Sequence, residues 1–145
     1  PVIRDALIKA ESIFNKKFNV IVDLDVSSPL RNDQDITNAI NKFKKENSNN
    51  LITVCRSRKN PYFNMVEYNK NKLKIVKKNK KKILRRQDAP KVFDVNASIY
   101  IWKRNFLLKT NNIISEKTSV YEMPLKRSID IDNKDDFELV KRYIK

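Results

Sequence analysis

The chain has 145 residues, 40% of them hydrophobic, and a formal net charge of +15, which suffices for one domain with a packed core and falls short of two ordinary ones. With no His and a single Cys, it holds no disulfide framework, no zinc site and no Ser/His or Cys/His dyad, so any metal is left to carboxylates. Gly is absent, which removes phosphate-cradling glycine loops; no apolar run is long enough to span a bilayer and no charged-then-apolar leader opens the chain, so a cytoplasmic location without membrane contact is expected.

In chain order, Pro1–Phe14 places Ile3, Ala6, Leu7, Ala10, Ile13 and Phe14 on one helical face, with a Pro suited to a helix start. Phe18–Asp25 (FNVIVDLD) is the near-continuous apolar run expected of a central parallel strand buried on both faces by helices. It leads into the turn VSSPLR, at the edge of the sheet where open α/β folds take ligands. Asp33–Phe43 predicts a second amphipathic helix, with a capping Asp and with Ile36, Ala39, Ile40 and Phe43 inward. After the polar break Asn47–Asn50, Leu51–Arg56 (LITVCR) is a further strand, in which Cys55 reads as a buried small hydrophobe. Strand, helix, strand argues for a right-handed βαβ unit in a mostly parallel sheet.

Asn64–Tyr68 and Leu73–Lys77 flank NKNK and predict a hairpin, and Lys78–Lys82 is too charged to be anything but an exposed loop. Lys70, Lys72, Lys74, Lys77, Lys78, Lys80, Lys81, Lys82, Arg85 and Arg86 follow one another with no acid between them, so the basic excess is local. No RNA- or DNA-binding motif accompanies the run and no aromatics are interleaved with it, so specific nucleic-acid binding is not expected.

Arg85–Trp102 sets a basic, polar cluster before a strand, Val95–Trp102, whose alternation puts Val95, Ala97, Ile99 and Ile101 on one face and Asn96, Ser98, Tyr100 and Trp102 on the other. Lys103–Lys109 reads as a short helix, Asn111–Lys117 as a polar loop and Val120–Met123 as a short strand beside Ser128–Asp132 (SIDID). Asn133–Ile144 closes the chain as a helix, with Phe137, Val140 and Ile144 inward and Asp135, Asp136 and Glu138 near its N-terminus. If SIDID is extended, Asp130 and Asp132 share a face about 7 Å apart, a spacing at which two carboxylates grip a hard divalent cation. The same letters suit an ordinary half-exposed strand, and spacing alone does not choose between the two.

Taken together, DLDVSSPLR (Asp23–Arg31), RRQDAP (Arg85–Pro90), NASIYIW (Asn96–Trp102), YEMP (Tyr121–Pro124) and SIDID resemble, in letters, order and spacing, the acylneuraminate cytidylyltransferases, or CMP-sialic acid synthetases. Asn-Ala-Ser in place of Asn-Gly-Ala looks most like the bacterial branch that activates legionaminic acid or related nonulosonic acids. The resemblance covers nearly the whole chain. It implies a three-layer α/β/α nucleotide-diphosphosugar-transferase fold, Rossmann-like, as a single domain over 1–145 with a hairpin extension over 60–86 used in homodimerisation. The reaction it implies joins CTP and a nine-carbon 2-keto sugar acid into a CMP-sugar with release of pyrophosphate. In it the anomeric hydroxyl attacks the α-phosphorus in line, Mg²⁺ neutralises developing charge, and the protein chiefly positions.

Matched motif to motif, the resemblance gives the metal to Asp130 and Asp132, lines the sugar-acid pocket with Arg86, Gln87, Asn96 and Tyr100, and sets Asp25, Ser28 and Arg31 beside the sugar and nucleotide. It assigns no side chain a covalent or acid–base step. Members of the family begin with a strand and a basic glycine-rich loop that wraps CTP, and this chain has neither and starts at Pro1. It is therefore expected to match roughly the last two-thirds of a full enzyme, to be inactive alone, and to leave an edge or gap in its sheet. Two further readings stand beside this one: a non-catalytic fragment or subunit that keeps the sugar pocket or dimer surface, and a basic nucleic-acid-binding module. The identity of the nonulosonic acid depends on pocket shape and is not written in the motifs.

Overall fold

A computed structural model of the chain describes residues 2–79 and 83–144. It is an α/β protein whose described elements are, in order, α1 (Val2–Ile13), β1 (Val20–Leu24), α2 (Asp33–Glu46), β2 (Asn50–Arg56), β3 (Val66–Asn69), β4 (Lys72–Ile75), β5 (Phe93–Lys103), α3 (Arg104–Lys109), β6 (Thr118–Glu122) and α4 (Lys134–Tyr143). The chain divides into two compact units, one made of the residues up to Cys55 and from Val95 on, the other of Arg56–Asp94.

The first unit is built on a sheet of order β1-β5-β2-β6. β1 runs antiparallel to β5, with Val20 opposite Lys103 and Asp23 opposite Tyr100, and β2 runs parallel to β6, with Asn50 opposite Thr118. The sheet is therefore mixed, not mostly parallel. Along β5 successive side chains feed two separate cores. Ile99 and Ile101 pack with Leu51, Met123 and the Ala39–Phe43 face of α2, while Trp102 packs with Leu7 of α1 and Leu107 of α3, joined by Ile21 and Tyr100. α1 and α2 thus lie on opposite faces of β5.

The run FNVIVDLD, expected to be central, parallel and doubly buried, is none of these. β1 stands at the end of the strand order, antiparallel to its neighbour, and Val20, Val22 and Leu24 are exposed. The doubly buried strand is β2, where every residue from Asn50 to Cys55 is buried. A β-branched run encodes fit to a pleated surface and not a place within the sheet, so the two runs read alike.

Helix ends follow local chemistry. Asn32, and not Asp33, caps α2: its side chain accepts from the Asp35 amide, and the Asp35 carboxylate accepts from the Asn32 amide, closing a capping box. α1 buries Leu7 and also Glu11, whereas Ile13 and Phe14 are exposed; Pro1 lies outside the described residues. In α4 only Val140 of the three expected inward residues is buried, and Phe137 and Ile144 face solvent. SIDID is not a strand and β6 lies beside β2 instead.

Lacking glycine, the chain turns through other residues at positive φ: Asn15 (44°), Asn47 (47°), Lys70 (48°), Asn71 (62°) and Ala97 (52°). Asn tolerates this region because its short side chain bonds locally, and Asn47 ends α2 in that way. In the second unit β3 and β4 form the expected hairpin, with Val66 opposite Ile75. Its two-residue turn, Lys70–Asn71, has both φ values positive, as a type I′ turn requires. Of the exposed loop expected at Lys78–Lys82, residues 80–82 lie outside the described residues.

Candidate functional site

Beyond β1 the chain folds over the carboxyl end of the strand. The Asp25 amide donates to the Ser98 carbonyl (3.2 Å), and Asp25 Oδ1 accepts from the Ser27 hydroxyl (2.7 Å) and the Ser27 amide (3.0 Å). These bonds hold the Asp25 carboxyl below the usual carboxylate range. Arg31 Nη1 donates to the carbonyls of Asp25 (2.5 Å), Ser28 (2.9 Å) and Ser98 (3.3 Å). One nitrogen therefore ties the turn to β5, and Nε and Nη2 enter no hydrogen bond among the described residues. Arg31 is a fixed, half-buried cation with donors to spare. Ser28 is fully buried and its hydroxyl has no partner among the described residues.

β5 does not alternate evenly. The positive φ of Ala97 shifts the phase of the strand, so that Asn96 sits with the Ile99 side. Its Nδ2 donates to Ser128 Oγ (2.8 Å) and lies 3.5 Å from Met123 Sδ, and Met123 belongs to the core around Ile99 and Ile101. The expected grouping of Asn96 and Ser98 with Tyr100 and Trp102 is thereby corrected for Asn96. Tyr100 is half-buried and stacks on Trp102, ring centroids 6.1 Å apart. Burial, and then the charges of Asp25, Asp23 and Asp130, push its hydroxyl up from its ordinary value.

The segment carrying Asp130 is pinned at three points. Arg127, just before it, grips the fully buried Asp35 through two bonds of 2.7 and 2.9 Å. Burial works to raise Asp35, but this guanidinium, with the Asn32 amide, outweighs it and holds the carboxyl low. Ser128 meets Asn96, and the Ile131 amide donates to the Ser27 carbonyl (2.9 Å). Asp130 is half-buried and its Oδ1 is buried with no hydrogen-bond partner among the described residues. Asp132 is exposed and its amide donates to Asp136 Oδ2 (3.2 Å). Because the segment is not extended, strand alternation does not set these two carboxylates on one face. Among the described residues no three of His, Cys, Asp or Glu converge as a metal-holding group. A hard cation would rest on one or two carboxylates, with water or phosphate oxygens completing its shell, and an orphaned buried carboxylate oxygen fits that donor set.

Arg86 and Gln87 lie in the second unit, in a single 3₁₀ turn. Arg86 Nη2 donates to the carbonyls of Arg58 (2.9 Å) and Ser57 (3.4 Å). With Arg56, Lys59, Asn60 and Lys91, the two residues line a cavity of ≈ 350 Å³ that no acidic side chain enters. Four cations around one cavity suit an anionic ligand.

Two inward groups escape the motif reading. Asp23, half-buried on β1, is pushed up by burial and by the neighbouring Asp25 charge, against the pull of Arg31; its alternation with Asp25 is the signal that contains it. Ser98 is fully buried with a hydroxyl that has no partner among the described residues, and nothing in its sequence context singles it out.

No family model matches the chain. It is similar over its whole length, at 41% identity, to the post-translational flagellin modification protein B of Campylobacter coli, of which it covers 61%. Over 140 residues, 97% of the chain, it is 43% identical to the CMP-N,N'-diacetyllegionaminic acid synthase of Campylobacter jejuni and covers 59% of it. At 27% identity, 115 residues match the N-acylneuraminate cytidylyltransferase of Streptococcus agalactiae serotype III and cover 27% of that protein. The chain thus spans about three-fifths of the two Campylobacter relatives, and the resemblance carried by its motifs agrees with the names of these relatives.

Proposed function

We propose that this chain is the larger part of a cytidylyltransferase that transfers CMP from CTP to a nonulosonic acid, with release of pyrophosphate. The observation that carries the reading is the convergence, in one unit, of the buried, unpartnered Asp130 Oδ1 with Arg31, Tyr100 and Asp25 at the carboxyl end of β1. The Asp130 oxygen suits a hard cation that would bind the phosphates, and the free donors of Arg31 suit carboxylate or phosphate oxygens directly. Asp130 and Asp132 would hold Mg²⁺, which when bound supplies charge neutralisation at the phosphates. The chain's own residues bind and orient. Arg31, anchored through Nη1, presents Nε and Nη2 to carboxylate or phosphate oxygens, Tyr100 offers a neutral hydroxyl, and Arg86 and Gln87 offer an anion-accepting cavity. In the reaction the anomeric oxygen forms a bond to the α-phosphorus, the bond to the pyrophosphate oxygen breaks, and the hydroxyl proton passes to solvent or a nearby carboxylate.

Packing of α1 and α2 on opposite faces of β5 supports a three-layer α/β/α arrangement of the nucleotide-diphosphosugar-transferase type. Exposure of Val66, Tyr68 and Leu73 on the β3–β4 hairpin supports its use as a homodimer arm. No helix among the described residues is long and apolar enough to cross a membrane.

The test uses the full-length protein that carries this sequence, supplied with CTP, Mg²⁺ and either N,N'-diacetyllegionaminic acid or N-acetylneuraminic acid. Pyrophosphate and a CMP-sugar should appear in equal amounts, and Asp130→Asn should remove most of that release while keeping the fold. Release by the Asn variant at the parent rate would overturn the metal assignment. Absence of release from the parent with both acids would overturn the reaction.

A further inference from the structure

Among the inward carboxylates of the first unit, Glu11 is clamped by Arg104 and Lys17, Asp35 by Arg127 and the Asn32 amide, and Asp25 by Ser27. Asp23 is different. It is half-buried, and its carboxylate accepts no hydrogen bond from any described residue. A carboxylate taken partly out of water without a donor is unfavourable, and such sites persist where something outside the chain supplies the donor.

Its direction is fixed by the strand. β1 alternates, with Val20, Val22 and Leu24 exposed and Ile21, Asp23 and Asp25 half-buried. In the register with β5, Asp23 lies directly opposite Tyr100, so their Cβ atoms are neighbours on one face at about 5 Å. The Tyr100 hydroxyl likewise makes no hydrogen bond among the described residues. The charges that face these two groups are Asp25, Asp130 and the single cation Arg31, whose Nη1 is already committed to three carbonyls. Neither the Tyr100 hydroxyl nor the Nε and Nη2 donors that Arg31 keeps is bonded to Asp23 among the described residues, so its carboxylate takes no donor from this face.

We propose that Asp23 is a substrate-contacting, specificity-determining residue of this site, its carboxylate accepting a hydrogen bond from an amide N–H or hydroxyl of the sugar acid. The assignment rests on the function proposed above and names which part of the substrate that site reads. Nonulosonic acids present amide and hydroxyl donors along the ring and side chain. A half-buried acceptor that the bound sugar acid closes off from water discriminates against an analogue lacking the donor, because the acceptor is then left unpaired in the complex. The rival account is that Asp23 is an inward-pointing charge on an edge strand, guarding it against pairing with another chain. That role concerns association and not turnover.

The experiment compares the full-length parent with Asp23→Asn, which keeps the shape, and Asp23→Leu, which removes the acceptor. Each is assayed with CTP and Mg²⁺ against N,N'-diacetyllegionaminic acid and N-acetylneuraminic acid, with sedimentation and thermal melting alongside. Both variants should melt at or above the parent temperature. They should raise KM for the acid that is turned over by roughly 10–100-fold, the range expected for loss of one hydrogen bond to a charged group, while KM for CTP stays at the parent value. An active parent whose folded variants keep its KM for the sugar acid overturns the assignment, and variants changed only in self-association establish the edge-guarding role instead. A parent that turns over neither acid sinks the proposed function and this residue's role with it.

Discussion

Glu11 and Arg104, 93 positions apart, meet through two hydrogen bonds of 2.7 and 2.9 Å and so fasten α1 to the start of α3. Lys17 and the Phe18 amide complete the acceptor set of the carboxylate. The Arg104 bonds chiefly, against the effect of burial, lower the Glu11 pKa from 4.5 to about 2. Because the folded value lies below the ordinary one, the stability this carboxylate confers is fully present above pH 4.5 and is lost as pH falls toward about 2. Melting temperature should drop across that window, and Glu11→Gln should flatten the drop. Parallel curves for parent and variant would show that Glu11 carries none of it.

Ala97 sits at φ 52° in the middle of β5, in a region that costs a residue with a Cβ about 1 kcal/mol or more. Ala97→Gly should relieve that strain by more than the backbone entropy it adds, for a net gain of about 0.5 kcal/mol. Urea unfolding at constant m-value measures it. A loss of stability would mean that the phase shift in β5 is held without strain.

Thr53 is fully buried between strands, and its hydroxyl both donates to the Ile99 carbonyl (3.1 Å) and accepts from the Ile99 amide (2.9 Å). Thr53→Val preserves volume and strands both backbone groups, so it should cost about 2 kcal/mol. A cost below about 0.5 kcal/mol would mean that water or a shifted ladder takes the place of the hydroxyl.

Much of this was legible because it is local. The apolar spacing of Ile36, Ala39, Ile40 and Phe43 requires only a helix and something to pack against, and α2 delivers both. NKNK between two β-rich segments gives its hairpin for the same reason. What escaped depends on partners far along the chain. Glu11 reads as an outward charge until Arg104 is brought to it, and Asp35 as a first-turn acid until Arg127 arrives. FNVIVDLD carries no information on how many strands flank it, so its place at the end of the order had to be seen. The site divides in the same way. Asp25, Ser28 and Arg31 gather within one turn, as adjacent letters suggest, and the Asp130 charge is felt at Tyr100 because Arg127, Ser128 and Ile131 are each tied elsewhere.

The position of β1 also bears on how the protein behaves in bulk. Among the described residues no strand pairs with its outer edge, and Val22 and Leu24 are exposed, the combination that invites one molecule to add to the sheet of another. At a net charge of +15, identical molecules repel one another, and at low ionic strength that repulsion reaches across the whole approach. Its range shrinks from about 10 Å at 0.1 M salt to about 3 Å at 1 M. Light scattering by this chain should therefore rise with added salt, a colloidal threshold set by charge and not by loss of fold, and Val22→Lys on the exposed face of that strand should move the threshold to higher salt.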